Sequence, residues 1–189
     1  MMLIRSLAKC FSQREETVLI IQTVSSQLAA SGTKADEKQN PFAARPGVAE
    51  YLAGQYADPA ELVIGTGFAG VGFLPAGHGA AASEAMASSR LTSLIDGFRE
   101  SYSMILLCGP STLHPADLQM LAARADGIVF TVNRQSLHTV YGNEVIGDLI
   151  ELGGPILGFA EQPSLSRKAY PGDGFHFELE AIGESSHTA

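Results

Sequence analysis

Residues Leu94–Val132, LIDGFRESYSMILLCGPSTLHPADLQMLAARADGIVFTV, carry the clearest order of elements in the chain. The order is helix, buried strand, polar loop, helix, buried strand. The two strands are the apolar runs Met104–Cys108 (MILLC) and Gly127–Val132 (GIVFTV), with a helical pattern over Leu118–Ala125 between them. Short continuous apolar runs separated by helical segments predict a mostly parallel sheet with helices on both faces, a three-layer α/β/α class. Ligands of such sheets bind beyond the carboxyl ends of the strands. Here that end reads Cys108-Gly109-Pro110-Ser111 and carries no carboxylate.

Upstream, Leu91, Leu94, Ile95 and Phe98 form the apolar face of a helix predicted from Ser89 to Tyr102, with Ser83 a possible cap for an earlier one at Glu84. The chain opens with a helix over Leu3–Phe11, its face drawn through positions 3, 7 and 11, feeding a short buried strand at Val18–Ile21. Gln22–Asn40 is polar and reads as loop or weak helix. Gly47–Ala53, entered through Arg45-Pro46 and stopped by Gly54, reads as a short helix. Ala60–Ile64 reads as a turn and edge strand. Gly65-Thr66-Gly67-Phe68-Ala69-Gly70 spells GxGxxG, but Val71–Leu74 after it is a strand and Pro75 follows, so the spacing predicts a tight turn and not a dinucleotide fingerprint. Downstream, Leu137–Leu152 is a helix with Val140, Val145, Leu149 and Leu152 available for burial. Gly153-Gly154 ends it, and Ile156–Ala160 (ILGFA) is expected as a last central strand. Phe175–Leu179 (FHFEL) alternates like a short edge strand, and Ser185–Ala189 is expected to be disordered. The organisation is one α/β domain over residues 1–165 with a tail over 166–189.

The 189 residues suffice for one sizeable core, and a net charge of −8 disfavours non-specific nucleic-acid binding. Cys10 and Cys108 fall on separate elements in apolar surroundings, which suggests a reducing cytosol and neither a disulfide nor a zinc framework. No apolar run reaches the roughly 18–20 residues of a membrane span. A cytoplasmic protein without direct membrane insertion is therefore expected, with membrane association only through a partner.

Taken in order, the pattern resembles the cytoplasmic domain of bacterial tyrosine kinases that partner polysaccharide chain-length regulators, within the deviant P-loop ATPases that include ParA and MinD. Leu7-Ala8-Lys9 to Ile21 is similar to the end of that family's first helix and its second strand. Pro46–Gly54 (PGVAEYLAG) is similar to its PGLSxxLxG segment, and Phe73-Leu74-Pro75-Ala76-Gly77 to its next strand and loop. Ala81–Ser88 is an eroded NPxELLxS, keeping Glu84 and Ser88. Tyr102–Ser111 matches YDxVIIDTPP, Ala116-Asp117 the start of the next helix, Ala125–Val132 ADGVLLVV, and Gly153–Gly158 the run before the last core strand. The resemblance spans roughly residues 5 to 160 and implies a Rossmann-like, P-loop-NTPase-type sheet.

It also implies what has changed. The family's first strand and its glycine-rich loop with GK[ST] would precede Leu3, so the fold is expected to be N-terminally truncated. Its Asp-x-Asp signature falls at Gln22-Thr23-Val24, and its Walker B aspartate at Cys108, followed by Gly109 and Pro110. A magnesium–ATP site needs phosphate donors, a lysine and metal carboxylates, so no cofactor and no metal are expected. The resemblance then implies a non-catalytic homologue acting by binding in exopolysaccharide or capsule biosynthesis. Its expected partners are a membrane chain-length regulator or a catalytic homologue, with homo-oligomerisation open. Glu84, Ser88, His114, Asp117 and Arg134 are the interaction or vestigial-site candidates; Asp117 reads first as a helix-start acid and Arg134 as solvated. Two rival readings stand beside this one: a truncated ATP-dependent tyrosine kinase or ATPase, and a small enzyme using Cys108 with His114.

Overall fold

The computed structural model describes residues 2–23, 45–78, 89–109, 115–132 and 140–161. Its elements are α1 (Met2–Ser12), β1 (Val18–Gln22), α2 (Val48–Leu52), a 3-10 turn (Pro59–Leu62), β2 (Ile64–Gly65) and β3 (Val71–Leu74). They continue with α3 (Ser89–Arg99), β4 (Met104–Cys108), α4 (Pro115–Ala122), β5 (Ile128–Val132), α5 (Val140–Glu151) and β6 (Ile156–Glu161).

The strands form two groups, a four-stranded sheet in the order β2-β3-β1-β4 and a two-stranded ribbon β5-β6. β1 is central and buried at all five positions. It runs parallel to β3 from Val18↔Val71 to Ile21↔Leu74, and to β4 from Val18↔Met104 to Gln22↔Cys108. Strands covered by helices on both faces carry no polar alternation, which is why VLII and MILLC are unbroken apolar runs. β2 is antiparallel to β3, so the GTGFAG segment is the turn of a hairpin; Thr66 Oγ1 donates to the Val71 carbonyl at 2.9 Å across it.

Side chains alternate across the sheet. Val18, Ile20, Val71, Phe73, Met104, Leu106 and Cys108 face α1, which meets them with Ile4, Ala8 and Phe11. The buried stripe of α1 is therefore Ile4–Ala8–Phe11, about 70° around the helix from the expected 3-7-11 face, with Phe11 common to both. Leu3 and Leu7 are only half-buried, whereas the methyl side chain of Ala8, fully buried, lets the helix lie close on the sheet. On the opposite face Leu19, Ile21, Leu74, Ile105 and Leu107 pack with Val48, Tyr51 and Leu52 of α2 and with Leu91, Leu94, Ile95 and Phe98 of α3. All four expected α3 positions are buried, and α3 stops at Arg99, short of Tyr102, whose ring packs edge-on against Phe98 at 5.9 Å.

α4 joins the two groups of strands. Its Leu121 and Met120 belong to the core over β1 and β4, while Leu118 and Ala122 pack with Phe130, Leu149, Ile128, Ile146 and Ile156 over the ribbon. Two sequence expectations fail here. Leu152 lies beyond α5 and is 68% exposed, so that among the described side chains Leu149 and Ile146 anchor the helix. β6 is not a fully covered central strand: its residues alternate half-buried and exposed, and Leu157 is 74% exposed. The register of the ribbon shifts between Ile128 and Val129 and then pairs Phe159 with Phe130, with ring centroids 5.7 Å apart.

Candidate functional site

The strand ends of β1 and β4 meet where sequence reasoning placed the site. Gln22 and Cys108 are paired in register, and alternation puts both on the α1 face. The next residue prolongs the pairing: Thr23 donates both its N–H (3.2 Å) and its Oγ1 (2.9 Å) to the Cys108 carbonyl. Gln22 and Thr23 are 6% and 5% exposed. Cys108 keeps some solvent contact, but it packs on the cluster of Ala8, Ile20 and Phe73, and burial pushes its thiol up to about 12 from an ordinary 9.0. The sulfur is therefore a protonated, apolar group at neutral pH. Gly109 follows, exposed, with α4's Leu121 beside it.

A second constellation, not singled out from sequence, lies at the exit of β3. The N-terminus of α2 docks on the segment after that strand, with Val48 N–H donating to the Pro75 carbonyl and Ala49 N–H to the Ala76 carbonyl, both at 2.9 Å. Glu50 closes the joint. One carboxylate oxygen accepts from Gly47 N–H at 2.7 Å, and the other from His78 N–H at 2.9 Å with His78 Nδ1 at 3.2 Å. Burial alone pushes the Glu50 pKa up, but these hydrogen bonds outweigh it and hold the carboxyl below its ordinary 4.5. Both glycines are needed: a Cβ on Gly47 would strike the Pro75 carbonyl, and Gly77, at φ +88°, would meet the Glu50 carboxylate. The sequence signal was present in part. Gly47 followed three residues later by Glu50 is a helix-start pattern, but nothing local points across the chain to His78. Arg90 braces the other end of α2, donating to the Tyr51 and Tyr56 carbonyls at 3.1 and 3.2 Å while its guanidinium lies 4.8 Å from the Tyr51 ring centre.

Of the remaining candidates, Val24, Glu84, Ser88, Pro110, His114 and Arg134 lie outside the described residues, and Asp117 lies in the first turn of α4 with its side chain outside them. Among the described residues, no group of three or more His, Cys, Asp or Glu is arranged to hold a metal ion. A shallow cleft of about 230 Å³ between α3 and the end of α4 is polar and self-neutralised: Arg99 meets Asp96 at 3.7 Å and Asp126 at 3.5 Å, and Arg124 donates to Thr92.

A mostly parallel sheet with helices on both faces, with Gln22 and Cys108 paired at its strand ends, defines a Rossmann-like α/β fold of the P-loop NTPase type. Within that class the chain has the fold of bacterial tyrosine kinase domains and of MinD, and it shares sequence with the former. Over 94 residues, 48% of the chain, it is 36% identical to EpsB of Ralstonia solanacearum, named as a tyrosine-protein kinase. The kinase domain of the Escherichia coli tyrosine kinase ETK superposes on 87% of the chain, 63% of its own, with a TM-score of 0.67 and 20% identity. The septum site-determining protein MinD of Pyrococcus horikoshii, solved with Mg-ADP, superposes on 81% of the chain and 60% of its own, with a TM-score of 0.53 and 16% identity. The chain spans 12% of the length of EpsB. No family model matches the sequence.

Proposed function

We propose that this chain is a non-catalytic homologue of the bacterial tyrosine kinase domain, acting as a binding or regulatory component of exopolysaccharide or capsule biosynthesis. The observation that carries this reading is the donor set at the strand ends. Magnesium takes hard oxygen ligands, mostly carboxylate, phosphate and water. Position 108 holds a protonated thiol instead, and position 22 a neutral amide. Among the described residues there, the hydroxyl of Thr23 donates to the Cys108 carbonyl. These residues do not fit a magnesium nucleotide of the kind MinD holds, and no phosphoryl-transfer step is derived through one.

The same thiol speaks against a cysteine enzyme. The nucleophile in that chemistry is the thiolate, and a group pushed up to about 12 supplies almost none at neutral pH. What the fold keeps is its scaffold and the rigid α2–β3 joint built by Glu50. Such a scaffold serves binding, and the partners that suit it are a membrane chain-length regulator or a catalytic homologue met at the cytoplasmic face. Among the described residues no helix is long and apolar enough to cross a membrane, so in this reading membrane association runs through the partner.

Calorimetric titration with ATP and magnesium, alongside a labelled-phosphate assay for tyrosine phosphorylation, tests the proposal. No magnesium-dependent heat and no label transfer are expected; saturable magnesium-dependent binding would overturn it.

A further inference from the structure

We infer that the paired ends of β1 and β4 bind an uncharged amide edge, a primary carboxamide or a lactam, through the carboxamide of Gln22. Gln22 and Thr23 are the buried polar residues among those described, 6% and 5% exposed, and they are neighbours at one strand end. The Thr23 hydroxyl donates to the Cys108 carbonyl at 2.9 Å. The Gln22 carboxamide, by contrast, has no hydrogen-bond partner among the described residues. Burying an amide without a partner forfeits the hydrogen bonds it made to water, and buried polar groups in folded proteins are nearly all paired. An unpaired one at the carboxyl ends of parallel strands, where α/β sheets hold their ligands, marks a place for a ligand's polar atoms.

The surroundings fix the ligand's charge. Gln22 is in register with Cys108, and alternation puts both on the face where Cys108 packs with Ala8, Ile20 and Phe73. The burial that keeps this thiol protonated also disfavours an anion beside it. Among the described residues, no group of three or more His, Cys, Asp or Glu is arranged to hold a cation. Gly109, next after Cys108, is exposed, and a Cβ built on it would meet only Leu121, at 3.5 Å, so the strand end opens to solvent there. A small neutral group can approach by that side.

Complementarity fixes its class. A carboxamide presents a carbonyl acceptor and an N–H donor side by side on one edge. Its match is another group with donor and acceptor adjacent: a primary carboxamide, or a lactam, whose ring holds N–H and C=O on the same side. A trans peptide bond points its N–H and C=O in opposite directions and satisfies only one end of Gln22. The edge therefore comes from an Asn or Gln side chain of a partner or from a small molecule, and not from a polypeptide backbone. This inference rests on the neutral strand end argued above, yet the two fail separately. Magnesium-dependent ATP binding overturns the earlier reading, whereas the amide response is measured without nucleotide or metal.

The test uses the isotope-labelled 189-residue chain and acetamide, which carries this edge and little else. By magnetic resonance, acetamide is expected to move the Gln22 Nε2 proton pair saturably, with a dissociation constant on the order of millimolar, in keeping with so few atoms. γ-Butyrolactam should do the same. N-methylacetamide, which is trans, and acetate, which is charged, should bind at least about tenfold more weakly. In Gln22→Leu the Thr23 and Gly109 amides serve as reporters, and their saturable shift should be lost; the four ligands on the unaltered chain decide the matter even where this variant does not fold. Tighter binding of N-acetylasparagine methylamide than of the lactam would support a partner's side chain as the source, and the reverse order a small molecule. Three results would overturn the inference: no saturable shift of the Gln22 pair; an equal response to acetate or N-methylacetamide; or a long-lived water cross-relaxing with the pair that acetamide does not displace, since that water would already satisfy the amide.

Discussion

Replacing Cys108 by aspartate puts back the carboxylate that a metal site at this strand end would need, and the structure says what that costs. Burial moves the thiol from 9.0 to about 12, which corresponds to about 4 kcal/mol against an anion at this position. An aspartate carboxylate there meets the same apolar surroundings, so Cys108→Asp is expected to lose about 3–4 kcal/mol at pH 7, on the order of half of a typical domain's stability. The sign of the pH dependence follows. The folded-state pKa of the new carboxyl lies above its unfolded value near 3.9, so the penalty is complete above the folded pKa, shrinks as pH falls through it, and disappears below about 3.9. Cys108→Asn, which cannot ionise, should show a smaller loss that does not vary over the same range. Urea denaturation of the three proteins between pH 4 and 7.5, with and without 10 mM magnesium chloride, measures both effects. An aspartate variant as stable as the parent at pH 7, or one that magnesium restores, would refute the reasoning.

The Glu50 joint makes a prediction of opposite pH sign. Glu50→Ala removes the acceptor for the Gly47 and His78 N–H groups and should cost about 2–3 kcal/mol at pH 7. Because the folded-state carboxyl is held below its ordinary 4.5, this contribution is present above that value and fades as pH falls through the lowered one; a difference in stability that is flat from pH 7 to 3 would contradict the assignment. Leu121→Ala, at a 4% exposed position on the helix that joins the two groups of strands, should lose about 2–5 kcal/mol. A loss below about 1 kcal/mol in the same denaturation assay would mean that α4 is not the structural bridge described above.

The parts of the fold that were readable from sequence are those whose cause is local. Met104–Cys108 appears as a strand with the limits its apolar run predicts, and Val18–Ile21 gains only Gln22. β1 is buried and β4 half-buried between the helices, so nothing polar interrupts Val18–Ile21 or Met104–Cys108. The GTGFAG segment was settled by its context, since a strand follows it where a phosphate-binding turn needs a helix. The face of α1 was misplaced because leucine outweighs alanine in any hydrophobic pattern, while the sheet selects the small Ala8 for close approach. The exposure of β6 depends on which elements lie over the ribbon and on the register shift at Ile128/Val129; neither is written in ILGFA. At the site, the identities of Gln22 and Cys108 were legible and the bond from Thr23 to the Cys108 carbonyl was not, because it depends on the register of two strands and joins residues 85 apart. The Glu50–His78 contact spans 28 residues and was invisible for the same reason.

Titration of the 189-residue chain with ATP, in the presence and absence of magnesium, decides whether the proposed replacement of metal ligands by Gln22 and the Cys108 thiol has removed nucleotide binding. No saturable heat is expected in either titration. Binding that is saturable and requires magnesium would contradict the proposal.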